Sequence, residues 1–194
     1  MSNIIDKDLG YSKIVRSLKD IEGSHVKVGL QGAKGQKTYG EKFNNMTVVD
    51  IGTIHEFGAN IHKQLKPISL KAGLKAYNSN KMRTGLIKIP ARSFLGTTYD
   101  KKHKEWIEMN KKLFWNIITA RYSKSFISGI SKALGIMGQT IVKDIRKTIR
   151  AGIEPPNKES TLRAKMKKGK GKKTPKPLID TGRMINSISY KKEV

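Results

Sequence analysis

Cysteine is absent from these 194 residues, which excludes disulfides, zinc–thiolate sites and a thiol nucleophile and fits a reducing compartment. Acid is scarce: 15 Asp+Glu stand against 40 Lys+Arg, a formal net charge of +25. With only four histidines, side chains for acid–base or ligand chemistry are few. Long apolar runs are also missing. No stretch approaches the length of a membrane-spanning helix, and Met1 to Gly10 is polar and acidic, without the apolar core of a signal peptide. Synthesis and use in the cytoplasm are expected.

What is present fits one domain with extensions. Hydrophobic residues make up 37%, low but enough for a packed core, so a wholly disordered chain is not expected. The positive field attracts polyanions: nucleic acid, an anionic membrane surface or an acidic protein. Most of the basic residues are Lys, which neutralises phosphate as a point charge, whereas Arg is the better fork for reading guanine. With no recognition motif behind the charge, any nucleic-acid contact should be non-specific.

Along the chain, Tyr11, Ile14, Val15, Leu18 and Ile21 fall on one helical face, and Gly23 is a natural stop. Val26, Val28 and Leu30 alternate with His25, Lys27 and Gly29, predicting a half-buried strand. Gln31 to Gly40 reads as a flexible loop. Thr47 to Asp50 has the form of a capping box, and Val48, Ile51, Ile54 and Phe57 continue as a helical stripe closed by Gly58. Residues 59–88 are weakly patterned. The pairs Ile68/Leu70 and Ile87/Ile89 predict an irregular hairpin insertion. Pro90 bars a central helix position. From Tyr99 to Gly152 the pattern is helical, as two helices or one kinked at Ser123 to Gly129. One stripe runs through Trp106, Leu113, Ile117 and Ala120, flanked by Ile107, Phe114 and Ile118; the other runs through Ile127, Ile130, Leu134, Met137, Ile141, Ile145 and Ile149. Gly135 and Gly138 each cost a helix about 1 kcal/mol against Ala and so point to close packing. Pro155 and Pro156 end this region. Residues 157–177 form a Lys-rich loop or arm, and the run from Lys165 to Lys173 cannot pack a core. Pro177 to Gly182 is a turn, and Met184, Ile188 and Tyr190 predict a closing strand.

Several catalytic motifs begin and then fail. His55-Glu56 opens the zincin pattern H-E-x-x-H, but position 59 is Ala59, and His62 lies too far along. Asp180-Thr181-Gly182 matches the aspartic-protease triplet, yet that chemistry needs two carboxylates sharing a proton, and one copy would force a dimer. Arg183 also stands where the protease pattern has Ala. The alternative is an Asx-type turn with Gly182 at positive φ. Gly29 to Thr38 fits no register of the phosphate-binding loop. No catalytic residue, metal ligand or cofactor site is expected, and the chain is not expected to be an enzyme. The arm differs: Lys165, Lys167, Lys168, Lys170, Lys172 and Lys173 can neutralise phosphates or meet an acidic partner, and the absence of an aromatic there excludes base stacking. A solvated surface loop accounts for it equally well.

Three landmarks occur in a fixed order: Ile54-His55-Glu56-Phe57-Gly58, then Ile89-Pro90-Ala91-Arg92-Ser93-Phe94-Leu95 ahead of a long helix, then Pro177-Leu178-Ile179-Asp180-Thr181-Gly182-Arg183-Met184-Ile185-Asn186-Ser187-Ile188. Glu154 to Asn157 and Thr161 to Lys165 add a proline pair and a "T-x-x-x-K" segment. Over residues 24–190 the ordered set resembles the tail-completion and virion-morphogenesis proteins of tailed bacteriophages. The segment 59–88 is longer than in that pattern, and the arm is richer in Lys. The resemblance implies an α+β subunit with a small, mostly antiparallel sheet packed on long helices. It also implies a ring, six-fold by analogy with tail tubes, at the head-proximal end of the tail or in the neck. There it would meet neck, connector, tail-terminator or tail-tube proteins and the genome in its channel, with no membrane involved. His55, Glu56, Phe57, Gly58, Pro90, Arg92, Phe94, Asp180, Thr181 and Gly182 would then be assembly-motif residues. Phe57 and Phe94 are expected as core anchors, and Arg92 as a fork bridging to Glu56 or Asp180.

Overall fold

A computed structural model of the chain describes residues 11–20, 22–41, 44–65, 83–119, 126–167 and 175–194. The fold is α+β. Helix α1 (Tyr11–Asp20) leads through Gly23, at φ +85°, into strand β1 (His25–Leu30). The expected loop after β1 contains a helical turn, α2 (Gly32–Gly35), because Gly35 must tuck its backbone against Leu30 and Val49. Helix α3 (Val48–Phe57) starts at a complete capping box: Thr47 Oγ1 accepts from Asp50 N–H, and Asp50 accepts from Thr47 N–H. Donation from the Thr47 N–H and hydroxyl to the Asp50 carboxylate holds it below its ordinary pKa. α3 stops at Gly58, whose φ of +76° disfavours any side chain.

The chain then enters an antiparallel ribbon of β2 (Ala59–Leu65) and β3 (Arg83–Ile89), in register from Ala59 opposite Ile89 to Leu65 opposite Arg83. A hairpin was expected here, with Ile87 and Ile89 in its second strand. Its first strand begins at Ala59, where no clean alternation marked it. The Ile68/Leu70 pair lies outside the described residues.

Helices α4 (Phe94–Thr119) and α5 (Phe126–Ala151) are the long helical middle, divided near the predicted weak point. Trp106 Nε1 on α4 donates to Asp144 Oδ2 on α5 at 2.8 Å. α5 carries the core. Ile130, Leu134, Val142, Ile145 and Ile149 are buried, and most of them lie on the predicted isoleucine stripe. Phe94, Ile153, Ile185 and Ile188 close around the C-terminal half of that stripe.

The first half of the expected arm is helical: α6 (Glu159–Lys167), with Glu159 in its first turn paired to Arg163 four residues on. The predicted closing strand begins later than expected. Met184 belongs to a short helix, α7 (Arg183–Ser187), and β4 runs Ile188–Glu193. The loose apolar spacing at Met184 is a helical turn burying Met184 and Ile185, not strand alternation. β4 pairs antiparallel with β1 along its length, and this two-stranded sheet lies on α5. Gly138 permits that packing, since a Cβ there would sit 2.4 Å from Tyr190 Cδ2. Gly135 is buried too, but a Cβ there would meet Lys192 at an ordinary 3.8 Å.

Candidate functional site

The first two landmarks meet in one junction. The first N–H groups of any helix lack partners within it and carry partial positive charge. At the start of α4 they are taken by Glu56, from the last turn of α3. Glu56 Oε2 accepts from the N–H of Phe94 at 2.9 Å and of Leu95 at 3.0 Å; Oε1 accepts from Gly96 N–H at 2.9 Å and Ser93 Oγ at 2.6 Å. Gly58 lets the two segments close, because a Cβ there would lie 2.9 Å from both Ile89 O and Ala91 N. Pro90 is half-buried in the link, and the Arg92 N–H caps the end of α3 by donating to His55 O at 2.6 Å.

The Arg92 side chain does not make the predicted bridge to a carboxylate. It is 7% exposed and donates from Nε to Pro155 O at 2.7 Å and from Nη2 to Pro156 O at 3.0 Å. For Glu56 the reason is stoichiometric: four donors already fill its acceptor sites. The fork therefore holds the proline pair after α5, where Glu154–Pro155 is cis. Burial lowers the Arg92 pKa from its ordinary value. Ser93 was not singled out from the sequence, although a Ser just ahead of a helical run is a cap signal. The carbonyls of Pro155 and Pro156 leave no trace in a side-chain pattern.

The third landmark faces the first across a cleft of about 460 Å³. Ile51 and His55 come from α3, Thr161 and Lys165 from α6, and Leu178 to Met184 from the turn and α7. The turn is held from behind, where Lys165 Nζ donates to Lys176 O at 2.8 Å and Ile179 O at 2.7 Å. Gly182 has φ +77°, as the turn reading required, but it precedes α7 rather than the last strand. Leu178 has φ +63°, a conformation that costs a non-glycine residue about 1 kcal/mol or more. Asp180 and Thr181 are exposed on the rim. Arg183 lies over the Tyr39 ring at 5.1 Å; neither residue was expected at a site. Burial raises the Tyr39 pKa above its ordinary value; Arg183 pulls it down and Asp180 pushes it up. His55 Nδ1 is buried without a hydrogen-bond partner. Burial, then Arg92 and Lys165, lower its pKa from the ordinary value.

Other expectations fare unequally. Phe94 is fully buried, but Phe57 is 78% exposed and anchors nothing in the core. It is the last residue of α3, and Gly58 turns the chain away beneath it. His55 and Glu56 serve different places, the cleft and the α4 start, and His62 falls in β2. No group of three His, Asp or Glu suited to a metal occurs among the described residues. Of the arm lysines, Lys165 is turned into the fold, Lys167 ends α6, and Lys168, Lys170, Lys172 and Lys173 lie outside the described residues. No helix among the described residues is long and apolar enough to cross a membrane.

Compared with family models, with curated proteins and with solved structures, the chain matches none.

Proposed function

We propose that this chain is a structural assembly subunit of a tailed-bacteriophage particle. It completes the tail or connects head and tail in the neck, as a homo-oligomeric ring, most simply a hexamer, around the DNA channel. Its partners are neighbouring neck, connector, tail-terminator or tail-tube proteins. The observation that supports this reading is the use of the landmark residues. Glu56 and Arg92 hold together segments from residues 55 to 156, and such bonds shape a packing unit without turning over a substrate.

Charge bears on the partners. Copies carrying +25 each repel one another where their surfaces meet, since exposed charges closer than a Debye length of about 8 Å are only partly screened at physiological salt. A ring of them is stabilised by anions at its surface, either an acidic neighbouring ring or non-specifically bound genomic DNA. The test is deletion of the chain from its phage. Heads and tails that are both made but stay unjoined or unstable, together with the chain found in purified virions of the parent, support the proposal. Its absence from virions and from every assembly intermediate overturns it.

The net charge also favours a second reading, a free, non-specific nucleic-acid-binding protein. Because Lys165 is tied into the fold, the discriminating deletion is confined to residues 168–174. Loss of DNA binding with normal particles favours the second reading; loss of particles favours the first.

A further inference from the structure

The cleft between α3, α6 and the Asp180 turn sets a positioned cation beside an apolar floor. Its floor is apolar, made by Ile51, Leu178, Ile179 and Met184. On its rim Arg183 is placed over the Tyr39 ring, its guanidinium carbon 5.1 Å from the ring centre, with no side-chain hydrogen bond or ion pair among the described residues. An arginine fixed in this way is preorganised for a planar carboxylate, which it binds through two parallel N–H bonds. The wall beside it contains Leu178 at φ +63°, and strain of this kind gathers where a surface is shaped for a ligand. His55 Nδ1, buried and unpartnered, lies on the same cleft.

We propose that the cleft is a docking site for an acidic, apolar segment of a partner protein, one large aliphatic side chain seated on the floor and a neighbouring carboxylate on Arg183. The volume, about 460 Å³, suits one such side chain with its flanking backbone. Charge complementarity selects the occupant. The chain is strongly basic, so an acidic partner is drawn to it over long range. A second copy is disfavoured for the same reason. Nucleic acid fits the cleft poorly, since Arg183 already lies over the Tyr39 ring on which a base would stack and the floor is apolar. The site is a property of the folded chain and does not depend on where that chain sits in a particle.

The test is fluorescence anisotropy of the full chain with a labelled synthetic peptide of alternating acidic residues and leucines. The same peptide with serine for leucine and a short DNA duplex serve as comparisons. The leucine peptide should bind, and binding should weaken about tenfold or more in Arg183→Glu and in Thr161→Trp, which fills the cleft from an exposed position. Lys104→Glu, the same charge change at an exposed site on α4, should change it by less than about twofold. Circular dichroism checks that each variant is folded, and Thr161→Trp carries the test if Arg183→Glu is not. The proposal is overturned if the leucine peptide does not bind, if the serine peptide binds as well, or if Lys104→Glu weakens binding as much as Arg183→Glu. It is equally overturned if the cleft variants lose the DNA duplex instead.

Discussion

The junction at Glu56 and Arg92 and the cleft at Arg183 share helix α3, and they treat polar groups in opposite ways. At the junction, the Glu56 carboxylate is filled by four donors and Arg92 donates to two carbonyls. At the cleft, His55 Nδ1 is buried without a hydrogen-bond partner, and Arg183 lies over the Tyr39 ring with no side-chain hydrogen bond or ion pair among the described residues. Satisfied polar networks rigidify a fold, whereas a polar group left without a partner is where a structure meets something else. The landmarks divide by place: Glu56, Gly58, Arg92 and Phe94 build the frame, while His55, Asp180, Thr181 and Arg183 line the cleft.

That division can be broken from either side. The largest expected effect is Phe94→Ala, which removes a fully buried ring and should cost about 3–5 kcal/mol in denaturant unfolding. Glu56→Ala comes next. It leaves three N–H groups of α4 and the Ser93 hydroxyl without their acceptor, and a loss of about 2–3 kcal/mol is expected. A loss below about 0.5 kcal/mol would mean that water replaces the carboxylate and that the junction is not a frame.

His55 should tie stability to pH. Its pKa in the folded chain lies below the unfolded value of 6.5, so the unfolded chain takes up the proton first. Stability should thus be full above pH 6.5, fall as the pH drops toward the folded pKa, and level off below it. Comparing unfolding at neutral and mildly acidic pH in the parent and in His55→Gln isolates this slope, which should shrink in the variant. Phe57→Ser should have the smallest effect, within about 0.5 kcal/mol, because the ring is already in solvent.

The two phenylalanines also mark what the sequence could and could not disclose. Periodicity tells which residues share a helix face, so the isoleucines of α5 and the capping box of α3 were readable from local spacing. It does not tell what covers that face. Phe57 and Phe94 carry the same local signal, yet one sits at a helix end where Gly58 turns the chain away, and the other starts a helix against the core. Arg92 follows the same rule. Its burial and fork were foreseeable; its partners were backbone carbonyls more than sixty residues away, which no side-chain pattern encodes. The lysines of α6 hid a helix because composition reports solvation, whereas Lys165 uses its long stem to reach carbonyls of the turn. The cleft was half legible. Asp180, Thr181, Gly182 and His55 were on the page as separate motifs, but Tyr39 and Arg183 became partners only through folding.

Thermal unfolding of Arg92→Lys beside Arg183→Glu tests the division between frame and surface most directly. Lysine cannot reproduce the two-carbonyl fork, so Arg92→Lys should lower Tm by about 3–8 °C, as a loss of about 1–3 kcal/mol does in a chain of this size. Arg183→Glu should leave Tm within about 2 °C of the parent. Equal Tm values for Arg92→Lys and the parent, or a larger drop for Arg183→Glu than for Arg92→Lys, would contradict it.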